Sequence, residues 1–150
     1  MRRHFISIAA LGLLFAGPSW AQAQECDLTI EGNDQIQFDK SEMRVSSSCE
    51  QVTVTLIHVG ELAANIMGHN WVLTTTENYM PVAQAGQSAG PPEYLPENDE
   101  RVIAATEVIG GGEEVSVTFD LSELEPGGDY TFFCSFPGHF VLMNGKFVVE

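Results

Sequence analysis

Cys134, His139 and Met143 stand together in one short stretch, FFCSFPGHFVLMNG, from Phe132 to Gly145. A thiol, an imidazole and a thioether follow one another with no acidic or basic residue among them. A nucleophilic cysteine would use the histidine but would leave the methionine idle. A packed core would take the methionine and the phenylalanines, yet gains nothing from an imidazole. What the three types share is affinity for a soft metal, since thiolate and thioether favour Cu(I) while imidazole serves both copper oxidation states. A second imidazole, His69, lies in IMGHNWVL, where a loop opens onto an apolar run. If the two loops meet, the donors are two imidazoles, one thiolate and one thioether. Trigonal His2Cys with a weak axial methionine is an arrangement suited to copper electron transfer. No carboxylate belongs to the set, which argues against a hard cation.

Such loops need a scaffold, and the chain reads as an all-β one. DLTIEG, QVTVTLIHV, HNWVLTT, RVIAATEVI, EVSVTFD, DYTFFC and GKFVVE are short runs rich in Val, Ile, Thr and aromatic residues. Val52 to Leu56 and Val115 to Phe119 alternate clearly. Turn residues separate the runs: GND at Gly32, GGGEE from Gly110, EPGGD from Glu125. Seven to eight strands in this length predict a Greek-key β-sandwich. Residues 76–100, TENYMPVAQAGQSAGPPEYLPENDE, lack alternation and are too long for a plain turn. They predict a flap carrying a short helix around Met80 to Gln87. Trp71 is expected to fill the core.

The first residues, MRRHFISIAALGLLFAGPSWAQAQ, combine two arginines, a short apolar run and an Ala-x-Ala site. Residues 1–23 therefore read as a secretory signal peptide, with residues 24–150 as one mature domain. The apolar run is too short for a membrane anchor, so none is expected in the mature chain. The full sequence has formal charge −15. Arg2 and Arg3 leave with the leader and no acid does, giving −15 − 2 = −17 for residues 24–150. Only Lys40, Arg44, Arg101 and Lys146 stay basic, which excludes a nucleic-acid partner. An oxidising destination favours cysteine pairing. Cys26 and Cys49 both border strand-like runs and are paired here, leaving Cys134 for a metal.

MGHNWVL together with FFCSFPGHFVLMNG resembles the cupredoxin family of small blue copper proteins, and within it the azurin branch. The likeness covers nearly all of residues 24–150, including the early cysteine pair, EGNDQIQF, SVTFD and the ligand loop. The Cys-x4-His-x3-Met spacing is closer to azurins than to plastocyanins or pseudoazurins. The resemblance implies one type 1 copper ion held equatorially by His69, Cys134 and His139, axially by Met143, with the Gly68 carbonyl as a weak distant contact. It implies that backbone N–H groups of Asn70 and Phe136 donate to the Cys134 sulfur, and that the Asn70 side chain ties the two ligand loops together. His58 is either a redox-linked titrating group or a satisfied core histidine. Two positions depart from the azurin pattern: Val59 replaces a proline after His58, and Ala105 replaces a surface histidine.

By the same likeness the protein is a periplasmic electron carrier and not an enzyme. Its partners would be a c-type cytochrome and a reductase or dehydrogenase, met by a monomer in transient encounters. An apolar collar would surround the His139 edge, built of Leu62, Ile66 and Met67 from one loop and Phe136, Pro137, Gly138, Phe140 and Val141 from the other. Two other classes stay open on the residues alone. A copper storage or delivery protein would show repeated exposed metal-binding clusters, whereas this chain has one compact group. A Cys/His-dependent enzyme would need an orienting third group, for which the sequence offers no candidate.

Overall fold

The structure is a computed structural model that describes residues 26–150. The predicted signal peptide and its cleavage site lie outside the described residues. Among the described residues, nine strands form two sheets. The first sheet has the order β2-β1-β4-β7, from Gln37–Phe38 (β2), Asp27–Asn33 (β1), Gln51–His58 (β4) and Glu114–Asp120 (β7). The second has the order β3-β9-β8-β5-β6, from Glu42–Val45 (β3), Asn144–Val149 (β9), Tyr130–Phe133 (β8), Val72–Thr75 (β5) and Ala104–Ala105 (β6). β1 runs parallel to β4 and β3 parallel to β9, while the other pairs are antiparallel. The result is the predicted all-β sandwich, built of two mixed sheets.

Alternation places the core. Leu28 and Ile30 from β1 and Val52, Val54 and Leu56 from β4 meet Met43, Val45, Leu73, Phe132 and Phe147 of the facing sheet. Trp71 is fully buried among them, with Phe119, Phe132 and Phe147 rings 6.0 to 6.2 Å away. β8 does not alternate, because both of its faces are covered. Phe132 points into the sandwich, while Phe133 and Val72 point outward beneath a helix, α2, spanning Thr76–Ala89.

That helix is longer than the predicted Met80–Gln87 piece. Pro81 lies inside it, where it removes one backbone donor, yet Val82, Ala83 and Gly86 are buried and hold it to the sheet. RVIAATEVI keeps only two residues as a strand. Its continuation bends so that the Val108 N–H donates to the Glu93 carboxylate at 2.8 Å instead of to a neighbouring strand. Gly32, read as a turn residue, is within β1. A Cβ there would sit 2.8 Å from the His69 ring, so the strand must stay bare at this point. β2 and β3 are additions to the predicted set.

The Cys26–Cys49 disulfide joins the start of β1 to the approach of β4, with a Cα–Cα distance of 5.9 Å. Both strands leave this end in parallel, so the bridge lies opposite the end where β1 and β4 finish at Asn33 and His58. Replacing both cysteines with alanine should lower unfolding stability by about 3–4 kcal/mol from loop-closure entropy. Chemical denaturation of the two proteins measures it, and an unchanged midpoint would refute the estimate.

Candidate metal centre

Four loops converge where β1, β4 and β8 end and β5 begins. His69 precedes β5, joined to the 106–109 loop by a pair of backbone hydrogen bonds with Ile109 at 3.0 and 2.8 Å. Cys134 follows β8, and its N–H donates to the Met143 carbonyl at 3.0 Å, closing the loop that carries His139. Gly138 adopts φ +81°, which turns the chain so that a 3-10 turn, His139–Val141, brings His139 back toward Cys134. The Met143 N–H donates to the His139 carbonyl at 2.8 Å.

Cys134 Sγ lies 3.9 Å from His69 Nδ1, 3.7 Å from His139 Nδ1 and 3.9 Å from the Gly68 carbonyl oxygen. The three ligand atoms all fall within 4.8 Å of one another. A metal with bonds of about 2.3 Å to sulfur and 2.0 Å to nitrogen in a trigonal plane separates the sulfur from each nitrogen by about 3.7 Å. The two observed sulfur–nitrogen distances, 3.9 and 3.7 Å, are close to that figure. His69 Nε2 is 2.8 Å from the Asn33 carbonyl, so the N–H sits there and Nδ1 is bare toward the site. Met143 is fully buried in a cluster with Cys134 and Phe136.

Burial sets the protonation of the donors. It pushes the Cys134 thiol up to about 12, against which hydrogen bonds from the Asn70 and Phe136 backbone pull weakly downward. Burial, with the neighbouring His69 and His58 rings, lowers His139 to about 4. His69 is lowered chiefly by burial as well. Both imidazoles are thus neutral near pH 7, as a metal requires.

Asn70 links the two ligand loops. Its Nδ2 donates to Ser135 Oγ at 2.8 Å, and its Oδ1 accepts the Ser135 N–H at 2.8 Å. His58 is fully buried and stacks on His69 at 4.3 Å. Its Nδ1 accepts the Gly60 N–H at 3.1 Å, leaving Nε2–H to donate to the Met67 carbonyl at 2.8 Å. The neutral ring is therefore satisfied at both nitrogens.

A family model for copper binding proteins of the plastocyanin/azurin family matches residues 24–150. The chain belongs to this family. It is similar to azurin of Bordetella pertussis, 51% identical over 139 residues that cover 92% of this chain and 93% of that one. Azurin-1 of Alcaligenes xylosoxydans xylosoxydans is 57% identical over 122 residues, 81% of this chain and 95% of its own. Azurin of Pseudomonas aeruginosa is 46% identical over 151 aligned positions spanning all of both chains. The plastocyanin/azurin fold thus carries a blue copper electron-transfer centre here, and copper is its cofactor.

The residues assigned to the collar differ in exposure. Ile66 and Val141 are 60% and 63% exposed, and Leu62, Pro137 and Gly138 are also exposed, while Met67 and Phe140 are half-buried. Phe136 is buried, its ring 4.7 Å from His139 and 5.2 Å from Tyr94, so it supports the histidine from beneath. Leu142, absent from the predicted set, is 66% exposed. Sequence reasoning also missed Asn33, whose carbonyl faces His69 Nε2, Ser135, which pairs with Asn70, and Glu93, whose carbonyl accepts from Ser135 Oγ at 2.7 Å; backbone groups and a short hydroxyl carry no spacing signal.

Met143→Gln should keep copper bound and shift its potential, because Met143 would be a weak fourth donor and His69, Cys134 and His139 remain. Metal content and voltammetry check this. Loss of the metal would mean that Met143 holds the ion instead of tuning it.

Proposed function

We propose that residues 24–150 form a periplasmic electron shuttle, exported by residues 1–23, that catalyses no reaction of its own. The burial of the donors carries this reading. His69, Cys134 and Met143 have no solvent exposure and His139 has 4%, so no substrate reaches the metal position while an electron can cross the His139 edge. The ion would be held by His69, Cys134, His139 and Met143 and supplies a one-electron Cu(II)/Cu(I) couple. The protein's part is to keep the imidazoles bare at Nδ1, to exclude water, and to hold the donors so that little moves when the charge changes. No helix among the described residues is long and apolar enough to cross a membrane. The test is metal analysis and absorption of the exported, copper-loaded protein, with its N-terminus sequenced. An intense blue band that bleaches on reduction, on a chain starting near Gln24, is the expected result. A colourless copper-loaded protein would overturn it, and so would one that retains residues 1–23.

The partners follow from charge and shape. Every basic side chain among the described residues is held by an acid: Lys40 by Asp39, Arg44 by Glu42 and Glu150, Arg101 by Asp99 and Lys146 by Asp129, at 2.5 to 2.7 Å. Those four bases engage five carboxylates, so nearly all of the net −17 of residues 24–150 belongs to the other carboxylates, which steer toward a cationic face. A c-type cytochrome and a periplasmic reductase or dehydrogenase fit as donors and acceptors, met by a monomer in brief encounters. Close approach would use the apolar collar. Ile66→Glu should slow electron transfer at every ionic strength without moving the blue band, whereas salt should weaken only the long-range attraction. Stopped-flow rates against ionic strength decide it. Equal rates for mutant and parent would place docking elsewhere.

A further inference from the structure

The helix Thr76–Ala89 does more than cover the outer sheet face. Tyr79, Val82, Ala83, Gly86 and Gln87 recur three to four positions apart and so share one side of it. Val82 and Ala83 pack with Val72 and Phe133, joined by Tyr79 and Phe140. From the two ends of that side, polar groups reach the ligand loop. The Tyr79 hydroxyl donates to the Phe140 carbonyl, and Gln87 Nε2 donates to the Ser135 carbonyl at 3.1 Å. Those carbonyls belong to the residues that directly follow His139 and Cys134.

We propose that α2 is a brace for the ligand loop, with Tyr79 and Gln87 as positioning residues that grip it beside each of its two equatorial donors. This rests on the copper reading of the loop. Gln87 is an exposed residue, and water would serve its amide without ordering the side chain. Its reach to the carbonyl of the fully buried Ser135 is therefore a constraint on the loop, not a way of satisfying the glutamine. The Tyr79 ring, 5.1 Å from Phe133, is fixed by packing before its hydroxyl bonds. Asn144 Nδ2 also donates to the Phe140 carbonyl, at 3.0 Å, so this point is held from two sides. Inside the loop, the Leu142 and Met143 N–H groups donate to the His139 carbonyl at 2.9 and 2.8 Å. A loop pinned beside both donors keeps this internal turn closed when no metal is present.

The experiment is amide hydrogen exchange on metal-free protein, for wild type, Tyr79→Phe, Gln87→Met and the double variant. Tyr79→Phe removes the hydroxyl and keeps the ring. Losing one hydrogen bond should speed exchange at Leu142 and Met143 by about 2- to 10-fold, and losing both by about 10-fold or more. Amides of Val54 and Leu56 in the opposite sheet should keep their wild-type rates. In copper-loaded protein, release of copper to a chelator should accelerate in the same order. Wild-type exchange at Leu142 and Met143 in the double variant would overturn the brace. Equal acceleration of all amides would overturn it too, by showing general destabilisation. Should Tyr79→Phe weaken the fold, Gln87→Met, at an exposed position, decides the matter alone. Since exchange is read without metal, a missing blue band in wild type would sink the copper reading and not the brace.

Discussion

Cys134→Ser should abolish the intense blue absorption while leaving a folded sandwich. The blue band requires a thiolate bonded to copper, and Cys134 is the one cysteine outside the disulfide. Serine offers an oxygen whose proton is far harder to remove, so the thiolate bond that copper would make at Cys134 is lost. The fold has little reason to fail. Cys134 is fully buried, and serine is slightly smaller, so no clash arises. The backbone N–H groups of Asn70 and Phe136 that face the sulfur can donate to a hydroxyl instead. The disulfide lies at the opposite end, and the core around Trp71 does not include Cys134. Absorption and metal content should therefore collapse while the near-ultraviolet dichroism of the buried Trp71 persists. A variant that stays intensely blue would end the assignment of Cys134. A variant that loses its dichroism as well would show that the thiol holds the fold and not only the metal.

The ligand loop was readable because its three donors are close in sequence and share one chemistry. His69 was readable only through topology, since 65 positions separate it from Cys134 and the sandwich must bring the loops together. Runs with clean alternation, such as Val52 to Leu56, became strands as expected, because one face of each is buried. Other regions hid behind tertiary effects. The helix expected around Met80 to Gln87 spans Pro81 and Gly86 and proved longer, and Gly86 is needed where a Cβ would lie 2.0 Å from the Tyr94 carbonyl oxygen. Packing on Val72 and Phe133 sustains the helix despite both residues. β3 escaped because Glu42 and Arg44 alternate with only two buried residues, Met43 and Val45. The mix of buried Phe136 and exposed Leu142 was not legible, because the left-handed turn at Gly138 decides which side chains face out.

The metal-free protein should be most stable near neutral pH and weaken in both directions, and copper should expel a proton on binding. On the acid side the histidines decide. In the unfolded chain their ordinary value is 6.5, while folding lowers His139 to about 4 and lowers His69 as well, in both cases chiefly through burial. Between those limits the unfolded state binds protons that the folded state refuses, so stability falls as pH drops from about 6.5 toward 4. Asp99 and Asp129, held low by Arg101 and Lys146, act in the same direction at lower pH, but these pairs are solvent-screened and weak. On the alkaline side Cys134 decides. Its thiol rises from 9.0 to about 12 through burial, so above 9 the unfolded chain loses a proton that the folded chain keeps. Stability must then fall as pH rises through that interval. At pH 7 the imidazoles are already bare and the sulfur is not, so the proton that copper displaces comes from Cys134 Sγ. Denaturation midpoints of metal-free protein from pH 4 to 10, with a pH-stat titration of copper at pH 7, check both halves. A flat profile would mean that the donors are hydrated in the folded chain. Copper uptake with no proton released would mean that the thiolate forms before the metal arrives. Cys134→Ser should flatten the alkaline limb alone and leave the acid limb to His69 and His139, which separates the two causes in a single variant.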